Sequence, residues 1–331
     1  IFLKIDVMFR WILIPVCLVL PLTGWCWGFY AHKKINRIAI FLLPPEMLVL
    51  YKKHLAFIEE HAVDPDKRRY QVKEEGPRHY IDMDQYGPAP YLSLPRGWKQ
   101  AVAECGEDSL NRYGIVPWWI ETMLYRLTQA FIKQDLFSIL KLSAELGHYI
   151  SDAHVPLHAC SNHNGQKTGQ RGIHGFWESR IPELLAESDW DFMVGKANWI
   201  ADPMSFIWER VLQSAAAADT VLRTEKWLAG KFPLGQQYSF EERNGVLVKQ
   251  YARDYSLAYN RLLRGMIERR MQESIKAVAS FWITAWVQAG QPPLTSLAQQ
   301  QFTPEEKAAF ELLQQGWNKD RLAYICPDDS P

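Results

Sequence analysis

Leu146-Gly147-His148-Tyr149-Ile150-Ser151-Asp152-Ala153-His154-Val155-Pro156-Leu157-His158 is the stretch from which this chain is best read. It closes a helix predicted from Leu136 to His154. Helical positions i and i+4 lie one turn apart on a single face, so His148 and Asp152 can close on one metal ion as neutral imidazole and carboxylate. Pro156 then ends the helix and sends His158 to a different position nearby.

Downstream, His174-Gly175-Phe176-Trp177-Glu178 repeats the i, i+4 pairing of nitrogen with carboxylate. Either pair alone is weak, but two so close in sequence point to zinc. Upstream, Arg78-His79-Tyr80-Ile81-Asp82 offers another imidazole, with Asp64 and Asp66 in the preceding segment as alternative carboxylates to complete a site. The stretch Trp27-Gly28-Phe29-Tyr30-Ala31-His32 becomes informative if a leader is removed before it, because a freed α-amino group can bind metal through its nitrogen and the first carbonyl oxygen. His54, His61, His163 and His154 read as ordinary core or surface histidines. Tyr80, Tyr149 and Asp82 are candidates to orient the imidazoles.

Around these motifs, helix-like periodicity dominates and no run alternates convincingly with period two, so the expected fold is all-α. Helices are predicted over 31–43, 46–61, 118–133, 136–154, 176–186, 203–222 and, as one long element, 241–289. Asp64 is placed to cap a further helix with Pro65 at its first position, and Thr303 to cap a short helix ahead of a polar tail. The stretches 87–97 and 162–172 read as loops, and no repeat or low-complexity linker divides the chain. The organisation expected is a leader over 1–26, one helical domain over 27–295 and a terminal segment over 296–331.

The 331 residues carry 37 Lys plus Arg against 37 Asp plus Glu, which excludes gripping a polyanion by bulk charge; any such ligand must be met locally. Met8 reads as the initiator, and basic Arg10 followed by the apolar run Trp11 to Leu22 reads as a signal peptide, too short for a membrane span. Cleavage after Cys26 would make Trp27 the mature N-terminus of a periplasmic or secreted protein with no transmembrane anchor. Cys105, Cys160 and Cys326 then permit at most one internal disulfide and lack zinc-finger spacing.

The pattern resembles the zinc-dependent phospholipase C family, including the bacterial phosphatidylcholine-cleaving enzymes and the catalytic domain of clostridial α-toxin, and the related fungal single-strand-specific nucleases. The resemblance covers Trp27 to about Glu178 by motif. It implies an all-helical fold with about three clustered zinc ions. One ion would take His79, His148, Asp152 and Asp66, with Asp64 the alternative. A second would take the Trp27 amine and carbonyl, His32 and a bridging Asp152; the third would take His158, His174 and Glu178. Asp152 and Glu178 would thereby act in catalysis through the metals and bound water.

Glu178 as the last ligand leans toward the phospholipase branch, whereas Trp177 and Ser179 beside it and the Trp27-Gly28 start look nuclease-like. Base-stacking or choline-binding aromatics, or plain core, are the readings open for Trp118, Trp119, Tyr86, Tyr91 and Phe176. The expected substrate is accordingly a phospholipid, with single-stranded nucleic acid the alternative, and no stable protein partner is inferred. A non-catalytic, metal-stabilised exported binding protein is the reading from a different class; a structural site would be closed by four protein ligands, and the third set supplies three.

Overall fold

The computed structural model describes residues 29–69, 71–91, 93–243 and 246–320. The predicted signal segment, Trp27, Cys326 and the end of the polar tail lie outside the described residues. The architecture is mostly helical. Its six helices of twelve residues or more among the described residues are α1 (Phe29–Ile40), α2 (Val116–Lys133), α3 (Leu136–Ala153), α4 (Pro203–Ala229), α5 (Met266–Gln288) and α6 (Pro304–Asp320).

Local chemistry sets several ends. Pro117 stands in the first turn of α2, where its missing N–H costs nothing, and Gln134 closes α2 in the left-handed region at φ 52°. Asp135 then caps α3, accepting from the Ser138 amide at 3.1 Å. At α6, Thr303 and Glu306 cap each other reciprocally, Glu306 N to Thr303 Oγ1 at 3.2 Å and Thr303 N to Glu306 Oε2 at 2.7 Å.

The core forms where α1, α2, α3 and α5 meet. Ile35, Ala39 and Ile40 of α1, Ile139, Leu140, Leu146 and Ile150 of α3, and Ile275, Val278, Phe281 and Trp282 of α5 are buried there. Each large apolar side chain contributes about 1.5–3 kcal/mol by leaving water. Trp282 keeps its indole N–H satisfied by donating to the Ser143 carbonyl at 2.9 Å. The α1–α3 approach is especially close at Gly147, where an added Cβ would sit 2.0 Å from Asn36 Oδ1. Asn36 donates across the same crossing to the Ala144 carbonyl at 3.0 Å.

Three predicted elements are corrected. The helix expected over 46–61 is two, Pro45–Lys53 and Leu55–Glu60, broken at His54. The helix expected over 176–186 opens with a π-helical turn, Phe176–Arg180, before Ile181–Leu185. The single long helix over 241–289 does not exist. Its first part is an antiparallel hairpin, β1 (Tyr238–Arg243) against β2 (Val246–Tyr251), with Tyr238 opposite Tyr251 and Phe240 opposite Lys249. A helix Arg253–Leu262 follows, and Arg264 and Gly265, both at positive φ, separate it from α5. The sequence Asn244-Gly245 between runs containing Val246, Val248 and Tyr251 is a hairpin signal that outweighs the weak helical periodicity there. Among the described residues no helix is long and apolar enough to cross a membrane.

Candidate metal centre

Three local devices deliver the side chains. On α3, the helical i, i+4 spacing puts His148 and Asp152 on one face, and the close crossing at Gly147 brings α1 near enough for His32 to stack on His148 with ring centroids 3.8 Å apart. After Pro156, the 3-10 turn Pro156–Ala159 carries His158, held where its carbonyl accepts from the Ile81 amide at 2.9 Å. That bond also brings in the segment bearing His79. The π-helical turn then sets Glu178 against both His158 and His174; such one-turn widenings recur at functional sites.

The result is three sets of ligand-type atoms, each within 4.8 Å of one another: His79, His148 and Asp152; His32, Asp66 and His148; His158, His174 and Glu178. Asp152 sits between them. Its Oδ2 lies 3.0 Å from His79 Nδ1 and 3.3 Å from His148 Nε2. Its Oδ1 lies 3.4 Å from His32 Nε2 and 3.7 Å from His158 Nε2. Glu178 meets His158 Nε2 at 3.1 Å through one oxygen and His174 Nε2 at 2.8 Å through the other.

Of the two upstream carboxylates, Asp66 enters the cluster, 3.7 Å from His148 Nε2. Asp64 turns away to His61 Nδ1 at 2.6 Å and Lys67 at 3.2 Å, which hold its carboxyl below the ordinary carboxylate range despite burial. Eight of the nine sequence-predicted ligands are therefore gathered in one place; the ninth, Trp27, lies outside the described residues.

The surroundings suit a bound cation. Burial first, and for His32 and His148 the neighbouring imidazoles, hold His32, His79 and His148 well below their ordinary pKa of 6.5, so their lone pairs are available to a metal. Burial, then Asp66 and Glu178, drive Asp152 well above the ordinary carboxylate value. Converging buried carboxylates among uncharged imidazoles is costly unless positive charge enters the cluster; the Arg69 guanidinium stands 3.9 Å from Asp66 and offsets part of that cost at Asp152, which still titrates well above the ordinary value. Backbone carbonyls fix two rings: His148 Nδ1 donates to Ala62 O at 2.9 Å and His174 Nδ1 to His163 O at 3.2 Å, leaving each Nε2 for a metal.

Sequence reasoning missed the ionic group behind His79. Glu75, fully buried, accepts from Arg68 at 2.8 Å, from Arg78 at 2.7 Å and from the Tyr149 hydroxyl, and stands 3.8 Å from His79 Nε2. Arg68 also bonds Glu145 at 2.8 Å. Glu75 stands four residues before His79, but Lys73-Glu74-Glu75 looks like any solvated charge run.

Of the residues picked to orient the imidazoles, Tyr149 does pack edge-on against His79 and His148, with centroids 5.4 and 5.5 Å away. Tyr80 instead donates to the Arg112 carbonyl at 3.1 Å. Asp82 bonds through its backbone amide to Tyr113 O at 2.7 Å, and burial pushes its carboxyl up to about 6. Of the aromatics left open between base stacking, choline binding and plain core, Trp118, Tyr86 and Phe176 are buried wall or core, and Trp119 lies under the Arg78 guanidinium at 3.9 Å. His154 is buried with Nδ1 donating to Ile150 O at 2.7 Å, and stands outside the three sets. Cys105 and Cys160 are unpaired thiols.

No protein-family model and no curated protein matches this chain.

Proposed function

We propose that this chain is an exported, zinc-dependent phosphoric-ester hydrolase of the phospholipase C type, with three zinc ions in the cluster around Asp152. The observation that carries the reading is the third set: His158, His174 and Glu178 supply three ligands where a closed structural site has four. At 8% and 7% exposed, His158 and His174 are also the ligands nearest to solvent, against 0–3% for the other six described.

The residues fit zinc by type, since imidazole nitrogens and carboxylate oxygens are its usual ligands. His79, His148, Asp152 and Asp66 would hold one ion, and His32 and Asp152, with the Trp27 amine and carbonyl, a second. Bound zinc supplies a water acidic enough to ionise near neutral pH and positive charge to stabilise the phosphoryl oxygens. The remaining work belongs to the chain. Asp152 fixes the spacing of the sets by spending one oxygen on each side, and the Ala62 and His163 carbonyls hold two imidazoles in the ligating tautomer. The Glu75, Arg68 and Arg78 group, with Tyr149, braces the His79 side against displacement.

The test is incubation of the purified protein with phosphatidylcholine and, in parallel, with single-stranded DNA, each with and without a chelator. Release of phosphocholine that the chelator abolishes is the expected result. DNA cleavage alone would replace the phospholipase reading with the nuclease one, and neither activity from zinc-loaded protein would remove the hydrolase reading.

A further inference from the structure

The hairpin that replaces part of the expected long helix has an unusual outer face. Residues directly opposite in an antiparallel pair share a face, as do residues two apart on one strand. Tyr238, Phe240 and Glu242 of β1 and Leu247, Lys249 and Tyr251 of β2 therefore share one side of the hairpin, of which the Tyr251 end packs inward on Phe176 and the rest faces out. Phe240 is 67% exposed and Leu247 61%, while Leu234, in the approach to β1, is 95% exposed. Lys249 lies over the Tyr238 ring at 4.1 Å. Trp227, at the end of α4, is exposed as well. Apolar side chains held out on so small a sheet are an aggregation hazard unless something covers them.

Charge indicates what covers them. The chain as a whole is neutral, and from Glu225 to Asp254 it carries five basic residues and four acidic ones, of which Glu225 is buried and Glu242 and Asp254 are exposed. Glu241 is taken up by Arg180 at 2.9 Å, so the carboxylates left exposed are Glu242 and Asp254. Lys226, Lys231, Lys249 and Arg253 are all exposed. Aromatic and aliphatic side chains interleaved with lysines match a lipid interface, where rings enter the headgroup layer and ammonium groups meet phosphates.

The hairpin is also fixed to the exposed end of the metal cluster. Arg180, two residues after Glu178, donates through Nε to the Tyr251 carbonyl at 3.0 Å, besides its pairing with Glu241. Tyr251 stacks on Phe176 with centroids 3.8 Å apart, and Phe176 lies between His174 and Glu178. A surface seated on this face is thereby held beside the set of ligands nearest to solvent.

We propose that the outer face of the hairpin docks the protein on phospholipid bilayers bearing anionic headgroups. The choice of a lipid occupant rests on the phospholipase reading above. The experiment is co-sedimentation of the full protein with vesicles of phosphatidylcholine alone and with added phosphatidylglycerol, for the native chain and for the double variant Phe240→Ser, Leu247→Ser. The native protein is expected to bind at least tenfold better when phosphatidylglycerol is present, and the variant to lose at least tenfold of that binding. Chelator-sensitive hydrolysis of a short-chain phosphatidylcholine below its micellar concentration is expected to be unchanged in the variant. Vesicle binding that both proteins lack or share equally overturns the docking surface whatever happens to the soluble substrate. A native dimer that the variant converts to monomer also overturns it, in favour of a second copy. Vesicle binding lost in the variant, with no hydrolysis of any phosphate ester by either protein, supports the surface while sinking the catalytic reading.

Discussion

Asp152 carries more of the cluster than any other residue, because its two oxygens face imidazoles of all three sets. Asp152→Asn keeps the shape but loses the charge; loss of a group that merely orients a metal ligand already costs about 10- to 100-fold, and Asp152 is placed as a ligand itself. Phosphate-ester hydrolysis should fall at least about 100-fold and zinc content should drop below that of the native protein, measured by elemental analysis. Full activity with full zinc would remove the bridging role. His154 gives a second handle. Burial, with Arg270 and Arg210 nearby, lowers it from 6.5 to about 3, so the unfolded chain takes up its proton near 6.5 while the folded protein stays neutral. Its contribution to stability is therefore complete above 6.5 and is lost progressively as pH falls toward about 3. In metal-free protein, denaturant titration should show native stability falling by about 2 kcal/mol more than that of His154→Gln between pH 7 and pH 5. Parallel pH dependence of the two proteins would contradict this.

Among the elements, α3 was legible almost to the residue, because Asp135 marks its start, Pro156 its end and a strong apolar stripe its length. The ligand pairs on it were legible for the same reason, since helical spacing converts sequence separation directly into distance. The hairpin was not, although Asn244-Gly245 signals its turn, because its strands are short and Tyr238, Phe240 and Leu247 are exposed, so no clean inward alternation stands out against the helical pattern around it. Glu75 and the choice of Asp66 over Asp64 were hidden differently: both depend on which way a carboxylate turns within a charged segment, a matter decided by distant partners. The α1–α3 crossing rests on Gly147, so Gly147→Ala forces Asn36 to give way. A loss of about 3 kcal/mol in denaturant unfolding is expected, with weakened zinc retention from the displaced His32. Native stability in that variant would show the crossing to be more yielding than its geometry.

At the scale of the whole molecule, the far end of the chain supports the start of the metal cluster. Helix α6 packs on the short helix Asp64–Arg68, which carries Asp66. Phe310 lies 4.8 Å from Phe57, 5.1 Å from Phe137 and 4.2 Å from His61, with Phe302 4.9 Å from Phe57. Ending the chain after Gln301 should therefore lower the melting temperature by several degrees and speed zinc loss to a chelator, since each of these half-buried rings contributes on the order of 1 kcal/mol. Unchanged chelation kinetics would uncouple α6 from Asp66. The placement of the ligands along the chain bears on biogenesis as well. All eight described ligands lie between His32 and Glu178, whereas α5, which closes the core over α1 and α3, begins only at Met266. A chain emerging from its N-terminus thus presents these eight residues well before the helix that completes the core has been made. Any ion taken up by these residues would therefore have a window in which to enter before the last core helix packs on α1 and α3, which carry His32, His148 and Asp152.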